Sequence, residues 1–402
     1  MNIAIIGGGA SGLCCAVEAA AGGARVTVYE SKDRVGKKIL ATGNGRCNML
    51  NAFASAEDYS SPSFVRGVLE QYPAETVRLF FENLGLYTRD DEEGRAYPLS
   101  NQAASVLDVL RLECERLGVK ILCSCEITSI KKQGRGYVLS DGKSYDKVVL
   151  CCGSKASAKN FGGYELLKEL GHTVTKLMPA LTKLTVKDST YTRQLKGIRH
   201  KATLSLYINS EKAYQESGEL LFADYGLSGI AVMQLSSIIA RKMRKGKTSN
   251  VICCDFVPDM SFRELCDNIR KITLNRKELK CENLLTGFMP KKLGEVVVKS
   301  VGVPLTKNYG ELSDREIKSI ASAAKKFIFE IAGLRPFEDA QVVSGGADLR
   351  EFDNRTLESL KNKNLYVCGE LLDVDGPCGG YNLLWAFASG IAVGRQIGND
   401  KN

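Results

Sequence analysis

The chain has 402 residues, 44% hydrophobic and 25% charged, enough to bury at least one full core and to form two domains or one domain with an insertion. Its apolar runs stay short of the ~18 residues that a membrane helix needs, and its 14 cysteines, with three adjacent pairs and no CxxC spacing, argue against a disulfide framework or a zinc site. The net charge of +9 is concentrated between Thr182 and Ser300, where 21 Lys and Arg face 12 Asp and Glu, while the rest of the chain carries 34 of each sign. The start, MNIAIIGGGASG, lacks the basic opening and cleavage pattern of a signal peptide. With only His172 and His200 available, no histidine metal centre is expected, and a reduced, cytoplasmic enzyme is the natural expectation.

In chain order, the first signal is NIAIIGGGASGLCCAVEAAAGGARVTVYE, an apolar strand, a glycine turn, a small-residue helix and a second strand. Gly7, Gly9 and Gly12 give GxGxxG, and Glu30 lies 18 residues after the last of them. Gly7 permits the tight turn, Gly9 lets backbone amides reach a pyrophosphate, and Gly12 allows helix and strand to pack closely. The helix start at Ala10 and Ser11 then favours the phosphate charge, and Glu30, followed by Ser31, can accept hydrogen bonds from a ribose. Strand, helix, second strand and acid all in register point to dinucleotide binding.

Next comes GKKILATGNGRCN, Gly36 to Asn48. It is not a P-loop, because GxxxxGK[ST] is absent, and Cys47 has no nearby second cysteine to make a redox dithiol. Glycine amides, a threonine hydroxyl and cations suit a large cofactor with a pyrophosphate; a basic surface loop is the alternative. CEITSIKK (Cys125–Lys132) reads as a strand, and YDKVVLCCGS (Tyr145–Ser154) as a buried strand ending in a glycine turn at Gly153. Alternation in ATLSLYI indicates strands between Thr182 and Ile208, and Ser261–Val301 carries helical spacing with capping-type starts such as SFRELC. ARKMRKGK (Ala240–Lys247), the densest basic stretch, reads either as a solvated helical face or as part of a surface that meets a polyanion such as RNA. No second GxGxxG occurs in this middle region. NLYVCGELLDVDG returns to a strand that carries Glu370, Asp373 and Asp375 at its C-terminal end, where ligands bind in such sheets. GPCGGYNLLWAFASGIAVG then leads from a glycine turn into a helix.

Together with GxGxxG and GKKILATGNGRCN, the stretches GRAYPLSNQAASVLDVL (Gly94–Leu110), GELLFADYGLSGIAVMQLS (Gly218–Ser236) and GELLDVDGPCGGYNLLWAFASG (Gly369–Gly390) resemble, in order and over essentially the whole chain, the bacterial FAD flavoproteins of the bile-acid-reductase or aminoacetone-oxidase-like type. The resemblance implies an α/β, Rossmann-like fold of the glutathione-reductase type. The FAD domain would be built from 1–181 and 346–402, with an inserted β-rich domain carrying a helical excursion at 182–345. It implies FAD contacts at Gly7, Gly9, Ala10, Ser11, Gly12, Glu30 and Ser31 and, in the second loop, at Lys37, Lys38, Thr42, Gly43, Gly45, Arg46, Cys47 and Asn48. Further contacts are implied at Ile127, Gly153, Gly369, Glu370, Asp373, Asp375, Gly380, Tyr381 and Asn382. No metal is expected. With no separate nicotinamide domain, NAD(P)H would visit transiently.

Reducing a conjugated C=C bond needs a hydride on one carbon and a positioned acid for the other. Cys378, Tyr381, Cys47 and Tyr97 lie in motifs that the resemblance puts near the flavin, and they are the candidate acids. Each has a structural alternative: Tyr97 stacking, Tyr381 anchoring a turn, a cysteine acting as a small hydrophobe. The family's activities are NAD(P)H-driven reduction of unsaturated bile-acid intermediates, reduction of a uridine in ribosomal RNA, and aminoacetone oxidation by oxygen. The basic insertion favours an rRNA uridine and rRNA contact through that domain. A small-molecule enone reductase, an amine oxidase and a non-enzymatic FAD-dependent RNA-binding factor are the alternatives. The chain departs from the family in a shortened loop over Ser154–Leu167, and at Ile230, Leu384 and Cys378.

Overall fold

The computed structural model describes residues 1–157 and 161–400, so the part of the shortened loop at 158–160 lies outside the described residues. The chain divides into two compact units, one made of 1–178 with 342–402 and the other of 179–341.

The first unit opens with β1 (Asn2–Ile6), α1 (Ala10–Ala21) and β2 (Arg25–Tyr29). It continues through α2 (Ala103–Arg116), β3 (Lys120–Leu122) and β4 (Lys147–Leu150), and is completed after the insertion by β5 (Leu365–Val367) and α3 (Tyr381–Asn399). The five strands form one parallel sheet in the order β5-β4-β1-β2-β3. The chain order therefore reverses at β1, with β2 on one side and β4 on the other, and a parallel sheet binds its ligand beyond the strand ends at such a switch point. All of β4 and four of the five residues of β1 are buried, as expected of strands covered on both faces.

The helix α3 is buried at every residue from Leu384 to Gly394, so it is an internal helix rather than an amphipathic cover. Its close packing on α1 depends on glycine. A Cβ at Gly390 would stand 2.2 Å from Ser11 O, and one at Gly394 2.7 Å from Cys15 O. The strand at Cys125–Lys132 is shorter than expected, with the ladder confined to Ile130–Gln133 against Gly136–Leu139. Cys125 N–H donates instead to Glu30 O (2.9 Å), which ties the segment to the end of β2.

The second unit is a closed antiparallel barrel of six strands, in the order Leu184–Val186, Gly226–Ser228, Glu211–Ala223, Arg199–Ile208, Asn250–Asp255 and Phe327–Leu334. Ala202, Leu204, Leu206 and Ile208 alternate into its core with Leu220, Phe222, Ile252 and Phe329. The helical excursion includes Phe262–Asn275, which starts at a capping box where Ser261 Oγ accepts from Glu264 N–H, and Lys291–Ser300. ARKMRKGK ends the helix Ile230–Lys245, with Lys242 and Lys245 exposed. Cations in a last turn also suit the negative end of the helix dipole. No helix among the described residues is long and apolar enough to cross a membrane.

Candidate functional site

The glycine turn leaves β1 at the switch point. Gly7 has φ +111°, and a Cβ there would stand 2.3 Å from Cys151 O; a Cβ at Gly12 would stand 1.9 Å from Gly7 O. Gly9 differs: it caps α1 without a side-chain hydrogen bond, and a Cβ on it would meet nothing within 4 Å. Open space thus lies in front of a helix whose first-turn amides, at Ala10, Ser11 and Gly12, have no intrahelical acceptor. At the end of β2, the Glu30 carboxylate accepts from Gly8 N–H (3.0 Å), Lys32 N–H (2.8 Å) and the Ser31 hydroxyl (3.4 Å). Ile127 is buried in the same unit.

The second loop is hooked to the first, because Gly36 N–H donates to Gly8 O (2.8 Å). Lys37 pairs with Asp33, while the Lys38 ammonium reaches Glu370 Oε2 at 2.5 Å. Thr42 donates to Ile39 O (2.6 Å), and Gly43, Asn44 and Gly45 follow with positive φ. The Arg46 guanidinium lies 5.1 Å above the Tyr97 ring. Cys47 is fully buried, and burial pushes its thiol up to about 11 despite a lowering contribution from Thr42. It therefore cannot touch a substrate without the loop opening. The Asn48 amide bridges Leu50 O and Gly380 N–H, each at 3.2 Å.

The third element comes from the far end of the chain. Gly369, two residues after β5, has φ +72°, and a Cβ there would stand 2.6 Å from Ser11 Oγ. Glu370 Oε2 accepts from Ser154 Oγ (3.1 Å) as well as from Lys38. Gly153, also at positive φ, precedes that serine. Asp373 accepts from the Thr175 hydroxyl (2.8 Å), and Asp375 N–H donates to Ser60 Oγ (3.0 Å). Asn382 spends its side chain inside its own turn, accepting from Gly376 N–H (2.9 Å) and donating to Gly376 O and Pro377 O (3.0 Å each). Tyr381 begins α3 with its carbonyl held by the Tyr59 hydroxyl (2.8 Å), and burial raises the pKa of its phenol. Cys378 is half-buried on the preceding turn.

Ser11, Lys38, Gly369 and Glu370 are thus brought together, and Asn48 meets Gly380 at the start of α3. The side chains of Cys47 and Asn382 face into the protein. Sequence reasoning missed Ser154, Tyr59 and Asn51, whose amide donates to Gly379 O (3.1 Å). Only Ser154 had a signal, its place after the Gly153 turn. The open cradle at Gly9, the cations of the second loop and the fixed acids at Glu30 and Glu370 fit a dinucleotide such as FAD. The cysteines outside this cradle behave differently. Burial drives the thiols of Cys14, Cys15, Cys151 and Cys254 well above their usual range. Iodoacetamide at pH 8 should therefore label the exposed Cys123 first and leave those four, with Cys47, unmodified until the protein is unfolded, as peptide mass spectrometry would reveal.

A profile of the HI0933-like protein Rossmann domain matches residues 1–396. The chain is 38% identical to a 3-dehydro-bile acid delta(4,6)-reductase of Clostridium scindens over 405 aligned residues, 98% of each chain. It is 27% identical to a ribosomal RNA dihydrouridine synthase of Haemophilus influenzae, over 98% of this chain and 97% of that one. Among solved structures, the 3-ketosteroid delta1-dehydrogenase of Sterolibacterium denitrificans superposes with a TM-score of 0.50 at 13% identity, covering 99% of each chain, a likeness of fold.

Proposed function

The chain belongs to the HI0933-like Rossmann family, and from that premise we propose that it is an FAD-dependent reductase of a C=C bond conjugated to a carbonyl in a small, steroid-like molecule, with NAD(P)H as electron donor. The observation that carries the substrate class is 38% identity across 98% of both chains to a bile-acid delta(4,6)-reductase. When bound, FAD supplies two-electron chemistry, taking up a hydride and delivering it to carbon.

The chain's own residues bind and orient. The amides of Ala10, Ser11 and Gly12 would hold the pyrophosphate, Glu30 the adenosine ribose, and Lys38 with Glu370 the opposite side of the cradle. The amides at the start of α3 would favour negative charge on the flavin edge. Of the four candidate acids we favour Tyr381, which opens α3 with its main chain held by Tyr59 and whose phenol burial keeps protonated at neutral pH. Cys378 and Tyr97 are the alternatives, and the burial of Cys47 sets it behind them.

A second reading has its own support. The likeness to ribosomal RNA dihydrouridine synthases at 27% identity, and the excess of cations between Thr182 and Ser300, favour a uridine of ribosomal RNA as acceptor. One anaerobic experiment separates the readings. NADH or NADPH should bleach the flavin absorption within seconds, and a 3-oxo-Δ4 steroid should restore it. Restoration by an rRNA fragment alone would select the RNA reading. Flavin that stays oxidised with both nucleotides would overturn the reductase and turn the search to amine oxidation.

A further inference from the structure

Gly369 is held at both of its polar groups by one helix. Its N–H donates to Ser389 Oγ (3.0 Å), and its carbonyl accepts from Trp385 Nε1–H (3.1 Å). Ser389 in turn donates to the Trp385 main-chain carbonyl at 2.6 Å, so the hydroxyl and the indole that hold Gly369 sit one helical turn apart on α3. Both are buried, Trp385 to 1% exposure and Ser389 to 0%, so water cannot replace either bond.

The residue so held is the one whose movement the site would feel most. Gly369 sits two residues after β5 in the left-handed region, φ +72°, pressed so close to α1 that a Cβ would stand 2.6 Å from Ser11 Oγ. Glu370 follows directly, and its Oε2 receives Lys38 (2.5 Å) and Ser154 (3.1 Å). A glycine has little intrinsic resistance to peptide rotation. A rotation here would swing the Glu370 carboxylate away from both partners. We infer that Trp385 and Ser389 are positioning residues for the cofactor: by fixing the Gly369 backbone they set where the Glu370 carboxylate stands in the cradle. This inference rests on the FAD reading above. A tryptophan placed only to fill the core would act through its ring. Here the indole N–H is the acting group, and its effect passes through Glu370.

The test is a double-mutant cycle read by FAD affinity. Trp385→Phe keeps the aromatic bulk and removes the donor, and Ser389→Ala removes the acceptor; each should weaken FAD binding ~10-fold, measured by titration of flavin fluorescence on the apo-protein. In a Glu370→Gln background the further effect of Trp385→Phe should fall below ~2-fold, because acting residues in one chain of contacts are not additive. Ile391→Val, buried on the same helix, is the packing control and should leave FAD affinity unchanged. Should Trp385→Phe fail to fold, Ser389→Ala crossed with Glu370→Gln carries the same test. Wild-type affinity in Trp385→Phe and Ser389→Ala, or full additivity with Glu370→Gln, would overturn the positioning role while leaving the FAD reading intact. A wild-type protein that takes up no FAD at all would overturn both.

Discussion

Replacing Gly12 with alanine should yield a colourless protein that takes up FAD at least ~100-fold more weakly, a loss of about 2.8 kcal/mol. The added Cβ would stand 1.9 Å from Gly7 O, a backbone atom that no rotamer change can clear. Gly7 cannot retreat, since its own Cα faces Cys151 O, just after β4, closely enough that a Cβ there would lie at 2.3 Å. The strain therefore passes into the turn between β1 and α1, and apo-protein stability should fall along with cofactor binding. Gly9→Ala is the informative partner. It has φ −88° and open space around it, so the apo-protein should unfold at the wild-type temperature. Its methyl group would nonetheless stand where a pyrophosphate must approach the helix amides, and FAD affinity should drop. Thermal unfolding of the apo forms and FAD titration separate the two effects. If Gly9→Ala bound FAD as the wild type does, the pyrophosphate would have to sit elsewhere.

That contrast also marks what the sequence could reveal. The turn, α1, β2 and Glu30 are local, lying within thirty residues, and spacing alone gives their geometry. The contacts that complete the cradle join residues more than 300 positions apart, Lys38 with Glu370 and Asn51 with Gly379. Only motif resemblance, not periodicity, anticipated that the two ends meet. The barrel's last strand, Phe327–Leu334, has the right alternation, with Phe327, Phe329 and Ile331 buried. Its outward Ile328 is 62% exposed, an apolar outer position at odds with a strict period-two pattern. Cys47 illustrates the opposite problem. A loop of glycines, cations and polar residues reads as exposed, yet Cys47 N–H bonds back to Thr42 O (3.1 Å) and the side chain turns inward with φ +57°. Cys125–Lys132 reads as a strand, but its start is tied by Cys125 N–H to Glu30 O at the end of β2, and only from Ile130 does it pair in a ladder.

Tyr381→Phe should separate the two halves of the reaction. Bleaching of the flavin by NAD(P)H needs no acid from the chain and should stay within ~2-fold of wild type, while transfer to an enone should slow about 100-fold or more, the usual contribution of a general acid. The assignment rests on the place of Tyr381 at the start of α3 and on what holds its main chain and ring. Tyr381 begins α3, its carbonyl accepts from the Tyr59 hydroxyl at 2.8 Å, and the two rings meet edge to face at 6.2 Å. Only its hydroxyl is deleted by phenylalanine, so the turn should persist. Burial, with a smaller contribution from Asp58, raises the phenol pKa above the usual 10. The acid form thus survives through neutral and mildly alkaline pH, and the wild-type rate of the second half-reaction should stay flat there rather than fall. Cys378 and Tyr97 offer the comparison. Tyr97→Phe keeps the ring beneath Arg46 and should cost less than ~5-fold, since that cation contact uses the face and not the hydroxyl. If instead Cys378→Ala abolished enone reduction and Tyr381→Phe spared it, the proton would come from the thiol.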